Sequence, residues 1–147
     1  MSIVSLALAA LSGVFMAIQG SLNTALSKII GLLEATFLVH IIGALVGLVL
    51  LVFGLGQGNW DQMNRAPWYS YLGGILGLGI VYLVATAIAK VGAAPATTAI
   101  ILGQVSTAAL VDHFGWFGLQ PIGFNIWKGV GIVLMAVGAW LLLYRNC

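Results

Sequence analysis

Long apolar stretches, separated by short polar breaks, follow one another along the whole chain. The clearest break is the run Gly-Gln-Gly-Asn-Trp-Asp-Gln at 56–62, which has the glycine and polar residues of a connection. Each apolar stretch is long enough, as a helix, to cross a hydrocarbon core of about 30 Å. The pattern predicts an all-α membrane protein with a single transmembrane domain over 1–147 and about five helices. Their predicted ranges are about 3–26, 34–55, 68–89, 96–112 and 125–144.

The composition favours lipid as the solvent of most of the chain. Hydrophobic residues make up 62% and charged residues 5% of the sequence, whereas soluble domains carry about 25% charged residues. So few charges cannot cover a surface that faces water, and the lipid bilayer is therefore a predicted partner. The first apolar stretch has no basic segment before it and is longer than the core of a signal peptide, so we expect it to stay as the first helix.

The sequence lacks the residues that several kinds of chemistry require. The Lys and Arg residues stand singly, without a basic cluster, which argues against nucleic acid as a partner. The sequence has no phosphate-binding glycine loop, no cluster of metal ligands at motif spacing and no nucleophile with a positioned base. We therefore expect no enzyme activity, no cofactor and no metal site.

Local signals set the predicted helix ends. Lys28 is expected just past the first helix, and Gly92 and Pro95 predict a tight reversal before the fourth. That fourth helix is expected to stop near Asp112, where Asp112 and His113 would cap the helix or bond the following loop. Four aromatic residues near the start of the third helix are typical of a belt at the membrane interface: Trp60, Trp68, Tyr69 and Tyr71.

The charges barely specify an orientation in the membrane. An odd number of spans leaves Arg65 and Lys128 on the N-terminal side and Lys28, Lys90 and Arg145 on the other. Orientation follows an excess of Lys and Arg in short loops, and one residue is almost no excess. Two interpretations stay open: one weakly specified orientation, or a chain that inserts both ways and pairs with an inverted copy of itself, as the inverted repeats of many transporters do.

Polar residues recur along one face of the first predicted helix. Ser5, Ser12 and Gln19 are seven residues apart and Asn23 follows four later, so at 3.6 residues per turn they form one stripe. A polar stripe should not face lipid. The two amides either bond neighbouring helices, as polar side chains do in membrane bundles, or line a substrate cavity.

The second predicted helix carries two ionisable residues. Glu34 lies at its N-terminal end, and His40 lies about 9 Å of helical rise deeper. Ionisable groups within membrane spans are candidates for function. Glu34 either complements the helix dipole at the interface or faces the cavity as the proton-coupling candidate. His40 either makes an interhelical hydrogen bond or lines the cavity.

The remaining polar candidates lie on the third and fourth helices. Tyr82 is a candidate for the cavity or for packing, whereas Thr97, Gln104 and Thr107 share one face of the fourth helix, which should look inward. Five glycines of the last three helices are predicted to let helices pack closely: Gly73, Gly77, Gly103, Gly131 and Gly138.

Taken together, these residues resemble the YdcZ-like family, a half-sized, five-helix bacterial branch of the drug/metabolite transporter superfamily. The resemblance rests on Gln19-x-x-x-Asn23-x-x-Leu26, Pro67-Trp68 before Gly73-Gly74-x-x-Gly77, Gly103-Gln104, and Asp112-His113-Phe114-Gly115. It implies a multi-pass protein of the bacterial inner membrane in which short subunits pair antiparallel. Gln19, Asn23 and Gln104 match the family pattern, whereas Lys128 replaces an arginine and loses its fork geometry.

The leading functional hypothesis is a secondary transporter that works as an antiparallel homodimer of ten helices, or with a related chain of opposite orientation. It would move a small polar or cationic metabolite by alternating access. Two alternatives stay open: a small dual-topology ion channel, or a non-transporting subunit of a heterodimeric membrane complex. The predicted cavity residues are Ser12, Gln19, Asn23, Glu34, His40, Tyr82, Thr97 and Gln104.

Overall fold

The structure is a computed structural model that describes residues 2–144, so Arg145 and Cys147 lie outside the described residues. Five long helices, all apolar enough to cross a membrane, account for most of this range. They are α1 (Ile3–Ile30), α2 (Leu32–Val52), α3 (Leu72–Val91), α4 (Ala93–Phe114) and α5 (Ile126–Tyr144). The predicted all-helical class with five spans is thereby confirmed, and no strand occurs between residues 2 and 144.

The chain forms two compact units. The N-terminal unit, residues 1–90, holds α1, α2 and nearly all of α3, and the C-terminal unit, residues 91–147, holds α4 and α5. The long connection between α2 and α3 contains two short 3-10 helices, Trp60–Arg65 and Trp68–Tyr71. Their tryptophans are exposed, as a belt at the membrane interface requires. The single transmembrane domain over 1–147 stays a prediction.

One glycine forms the whole connection between α1 and α2. Helix α1 continues to Ile30, past its predicted end at 26, because Lys28 in the last turn complements the helix dipole instead of ending the helix. Gly31 then adopts φ +100°, a conformation that a side chain would strain. Its N–H donates to the Ser27 carbonyl at 3.1 Å, and its carbonyl accepts from Ala35 N–H at 3.0 Å. The reversal therefore leaves few backbone groups unpaired.

Gly92, with φ +89°, connects α3 to α4 in the same way. Helix α4 begins at Ala93 instead of 96, and Pro95 lies inside its first turn, where a missing N–H costs no hydrogen bond. The helix ends at Phe114, past the predicted 112, where Gly115 takes the left-handed conformation with φ +62°.

Small residues bring α1 and α3 together in the N-terminal unit. A Cβ added to Gly20 would lie 2.9 Å from Ile88 Cδ1 and 3.0 Å from Val84 Cγ1, closer than real Cβ contacts. One turn later, the Thr24 hydroxyl donates to the Gly20 carbonyl at 2.7 Å and also approaches the Ala85 carbonyl on α3 at 3.4 Å. Gly20 and Thr24 are thus a small-xxx-small pair that allows close packing.

The five glycines that were predicted to pack helices differ in their distance to neighbouring atoms. A Cβ added to Gly73, Gly103, Gly131 or Gly138 would meet no other atom within 4 Å, whereas one on Gly77 would lie 3.7 Å from His40 Nε2. Of these five glycines, only Gly77 therefore has another residue within contact distance in the described chain. A packing role for the other four stays a prediction for contacts with another molecule.

We expect Gly20→Val to destabilise the protein and Gly13→Val to be nearly neutral. The first forces two methyl groups between α1 and α3, an overpacking that costs about 1–3 kcal/mol, whereas an added Cβ at Gly13, two turns earlier, meets nothing within 4 Å. The measurement is the midpoint of thermal unfolding in detergent, followed by size-exclusion chromatography. Equal midpoints for the two variants would contradict this account of the α1–α3 contact.

Candidate functional site

The first candidate site is a group of buried polar side chains in the N-terminal unit, made by Asn23 and Thr24 on α1 and Thr36 on α2. Thr24 and Thr36 donate their hydroxyls to carbonyls one turn earlier, Gly20 at 2.7 Å and Leu32 at 2.8 Å. Asn23 is 7% exposed, and its amide makes no hydrogen bond within residues 2–144. No side-chain N or O of the described residues is both fully buried and unpaired. The Asn23 amide therefore still reaches an accessible surface.

His40 lies one turn after Thr36 on α2, and a hydrogen bond joins the two residues. The ring Nδ1 is 2.7 Å from the Thr36 carbonyl oxygen. A carbonyl oxygen only accepts, so Nδ1 carries the hydrogen, and the neutral ring has its lone pair on Nε2. Nε2 lies on the side of Gly77, the residue of α3 whose missing side chain leaves room for the ring. Thr36 is 1% exposed, so packing fixes the residue whose carbonyl holds the His40 ring.

Glu34 occupies a different environment at the start of α2. It is an exposed residue in the first helical turn, and its carboxylate folds back over Gly31, where a Cβ would collide with Oε2. A carboxylate in this position complements the partial positive charge of a helix N-terminus. The interface role that the sequence left open for Glu34 thus has a geometric basis.

The predicted polar stripe of α1 is only partly buried. Asn23 is buried, but Ser5, Ser12 and Gln19 are exposed. The Ser12 hydroxyl donates to the Ala9 carbonyl at 2.7 Å, within its own helix. The Gln19 amide has no hydrogen-bond partner among residues 2–144. Of the other candidates, Tyr82 on α3 is 39% exposed, and Thr97, near the start of α4, is half-buried.

The second candidate site is a cleft of about 640 Å³ in the C-terminal unit. Gln104, Thr107 and Asp112 of α4 supply its polar groups, and Gly103 leaves room beside Gln104. Phe117 and Leu119 from the loop after α4 form one apolar wall, and α4 itself adds Ile100, Ala108 and Val111. Gln104 is at the middle of α4, is exposed and makes no hydrogen bond within the described chain. Thr97 does not line this cleft.

A neighbouring cleft of about 450 Å³ separates α4 from α5. Asp112 of α4 and Lys128 of α5 both line it, with Gly131 and Met135 deeper along α5. No ion pair joins Asp112 and Lys128, both of which lie within the described residues. Asp112 borders both clefts, whereas the sequence analysis gave it only the role of a helix end.

His113 holds the loop that forms the wall of the larger cleft. The Phe124 N–H donates to His113 Nδ1 at 3.2 Å, and the Ile122 N–H donates to the Asp112 carbonyl at 2.7 Å. The His113 ring also packs edge-on against Phe114 and Phe124. The loop hydrogen bond expected for His113 is therefore present. Because Nδ1 accepts, the neutral His113 ring carries its hydrogen on Nε2, opposite to His40.

Some of these residues escaped the sequence analysis. Gly20 and Thr24 have a recognisable signal, since small residues four apart mark a close helix contact. Phe117 and Leu119 carry no such signal, because a loop position becomes a cleft wall only after folding. Within the described residues, no group of three or more His, Cys, Asp or Glu could hold a metal ion.

Five apolar spans with few charges define a multi-pass integral membrane protein. The chain matches the family described as "Putative inner membrane exporter, YdcZ" over residues 4–141, and it belongs to that family. It is 26% identical over 129 residues to the inner membrane protein YdcZ of Escherichia coli strain K12, covering 84% of this chain and 86% of that one. The protein is therefore located in the inner membrane. No solved structure matches the chain significantly.

We expect His113→Phe to loosen the loop after α4 and His113→Asn to preserve it. Phenylalanine keeps the ring contacts with Phe114 and Phe124 but leaves the Phe124 N–H without its acceptor, a loss of about 1 kcal/mol. Asparagine can offer its Oδ1 near the position of Nδ1. Hydrogen exchange of the 115–125 segment should accelerate in the first variant only. Unchanged exchange in both variants would show that this hydrogen bond does not hold the loop.

Proposed function

We propose that the protein is a secondary transporter that exports a small polar or cationic metabolite by alternating access, as an antiparallel dimer of ten helices. The proposal rests on the environment of two side-chain amides, Gln19 on α1 and Gln104 on α4. Both lie near the middle of a span, both are exposed, and neither makes a hydrogen bond within residues 2–144.

An exposed amide at mid-span cannot stay against lipid without a cost. A polar group without a partner in hydrocarbon costs several kcal/mol. Two such groups in one small chain therefore favour either a second protein surface or a polar pathway beside them. An inverted second copy supplies both, because the binding site of an inverted-repeat transporter lies at the interface of its two halves near the bilayer midplane.

The chemistry of these side chains favours a polar cargo. Gln19, Asn23 and Gln104 offer amide donors and acceptors, and Asp112 adds a carboxylate beside the cleft that Gln104 lines. Amides fix orientation through hydrogen bonds without demanding one charge, and the carboxylate favours a cation. The family description speaks of export, which supports the direction proposed here.

The inverted dimer predicts that the chain inserts in both orientations. Five spans put the α2–α3 connection and the C-terminus on opposite sides, so a chain of fixed orientation exposes only one of them outside the cell. The variant Gln57→Cys, with Cys147→Ser, and the chain with Cys147 alone should each label with an impermeant maleimide in intact cells. Labelling of only one position would exclude self-pairing of inverted copies and would indicate a partner subunit.

Alternating access predicts substrate-driven exchange. Proteoliposomes loaded with unlabelled putrescine, choline or guanidinium should take up the labelled form of the transported compound with saturation and trans-acceleration. Gln19→Leu should reduce this exchange about tenfold, because the loss of one hydrogen bond between this amide and the cargo costs about 1.4 kcal/mol. The control Ser21→Ala, on the same helix, removes a hydroxyl bonded only to the Ala17 carbonyl and should leave exchange unchanged.

The outcomes separate the two classes of pathway. Saturable exchange that Gln19→Leu weakens, while the variant still elutes as folded protein, supports the carrier. Flux that neither saturates nor accelerates with substrate on the other side would replace the carrier by a channel. Equal exchange by Gln19→Leu and Ser21→Ala would remove Gln19 from the pathway.

A further inference from the structure

We propose that His40, through Nε2, and not Glu34, is the proton-binding group of this transporter. The proposal rests on the proposed function and names the group that couples transport to protons. It is carried by the hydrogen bond at Nδ1, by the absence of a side chain on Gly77 beside Nε2, and by the position of His40 along α2.

The hydrogen bond at Nδ1 decides which ring atom can take up a proton. The Thr36 carbonyl accepts from Nδ1 at 2.7 Å, so the only lone pair of the neutral ring is on Nε2. Protonation of Nε2 keeps this hydrogen bond, because Nδ1 remains a donor in the imidazolium form. The ring can therefore gain and lose a proton without losing its anchor on Thr36.

Gly77 leaves Nε2 without a covering side chain on the α3 side. A Cβ on Gly77 would lie 3.7 Å from Nε2, in ordinary van der Waals contact, so a larger side chain at position 77 would cover this atom. No hydrogen bond or ion pair engages Nε2 within the described residues. His40 is half-buried, so part of the residue stays accessible.

The depth of His40 meets the geometric requirement of alternating access. It lies eight residues, or about 12 Å of helical rise, from the first residue of α2, close to the middle of a 21-residue helix. A group at that depth can be reached from either side of the membrane in turn. Glu34, in the first turn, stays at one end of the helix in every state.

The other titratable groups near α2 do not compete for this role. Helices α1 and α3, which adjoin α2 in the N-terminal unit, carry Lys28, Tyr82 and Lys90, and α2 itself carries Glu34. None of them makes a hydrogen bond or an ion pair with His40. The two lysines and Glu34 lie in end turns of their helices. Among these groups, only His40 combines a position near the middle of its helix with a ring nitrogen that can take up a proton.

The direct test follows the two histidine rings by NMR in lipid nanodiscs, with ¹⁵N-labelled histidine in the full chain. His40 should show the Nδ1–H form at high pH and gain a second N–H as the pH is lowered. His113, whose Nδ1 accepts a hydrogen bond, should show the Nε2–H form and so is distinguished without a mutation. An Nε2–H form of neutral His40, or a ring that stays in one state throughout, would overturn the proposal.

The functional test compares His40→Gln with Glu34→Gln in proteoliposomes, using the compound that shows exchange. A one-for-one exchange with protons supports up to about tenfold accumulation per pH unit. His40→Gln should lose this accumulation entirely and keep saturable exchange at equal pH, whereas Glu34→Gln should keep both. Accumulation that survives His40→Gln and is lost in Glu34→Gln would assign coupling to Glu34.

The two tests separate this proposal from the proposed function. Absence of saturable exchange in the unmodified protein would contradict the transporter alone, since the NMR titration still reports whether Nε2 binds a proton. Exchange without any accumulation in a pH gradient, together with a His40 ring that does not titrate, would contradict the proton site and leave the transporter standing.

Discussion

The backbone hydrogen bond is the constraint on which this structure depends. In hydrocarbon every N–H and C=O must find a partner within the protein, and a helix pairs these groups within its own segment. At two of the connections, Gly31 and Gly92 continue this pairing into the next helix. Each takes a positive φ, and each carbonyl accepts the N–H four residues into the next helix. Helices can therefore follow one another with a single residue between them.

The same constraint separates two kinds of polar side chain. A hydroxyl in a helix can donate to a carbonyl three or four residues earlier, and seven do so here: Ser12, Ser21, Thr24, Ser27, Thr36, Thr86 and Thr98. Such residues need no further partner in the membrane. Gln19 and Gln104 make no such bond. Amides, not polarity in general, therefore indicate where another surface or a cargo has to be present.

This distinction explains how much the sequence could predict. Long apolar runs identify five spans directly, but α1 runs past its predicted end and α4 begins before its predicted start. A helix accepts a cation such as Lys28 in its last turn and a proline such as Pro95 in its first. The sequence showed the polar stripe on α1, but it did not predict that Asn23 would be buried and Gln19 exposed. That difference depends on where α3 packs, through Gly20 and Thr24, which periodicity alone does not reveal.

The interior of the described chain consists almost entirely of small residues. Its buried apolar residues are Ala35, Ala85, Ile88, Ala96 and Ala139, while the large apolar side chains are turned outward. Helix association in lipid gains little from removing apolar surface, because lipid is as apolar as leucine, so close backbone packing has to supply the stability. An interior built this way has few side chains that could fill or line a cavity. A polar ring such as His40 consequently fits between helices only where the neighbouring helix carries a small residue, here Gly77.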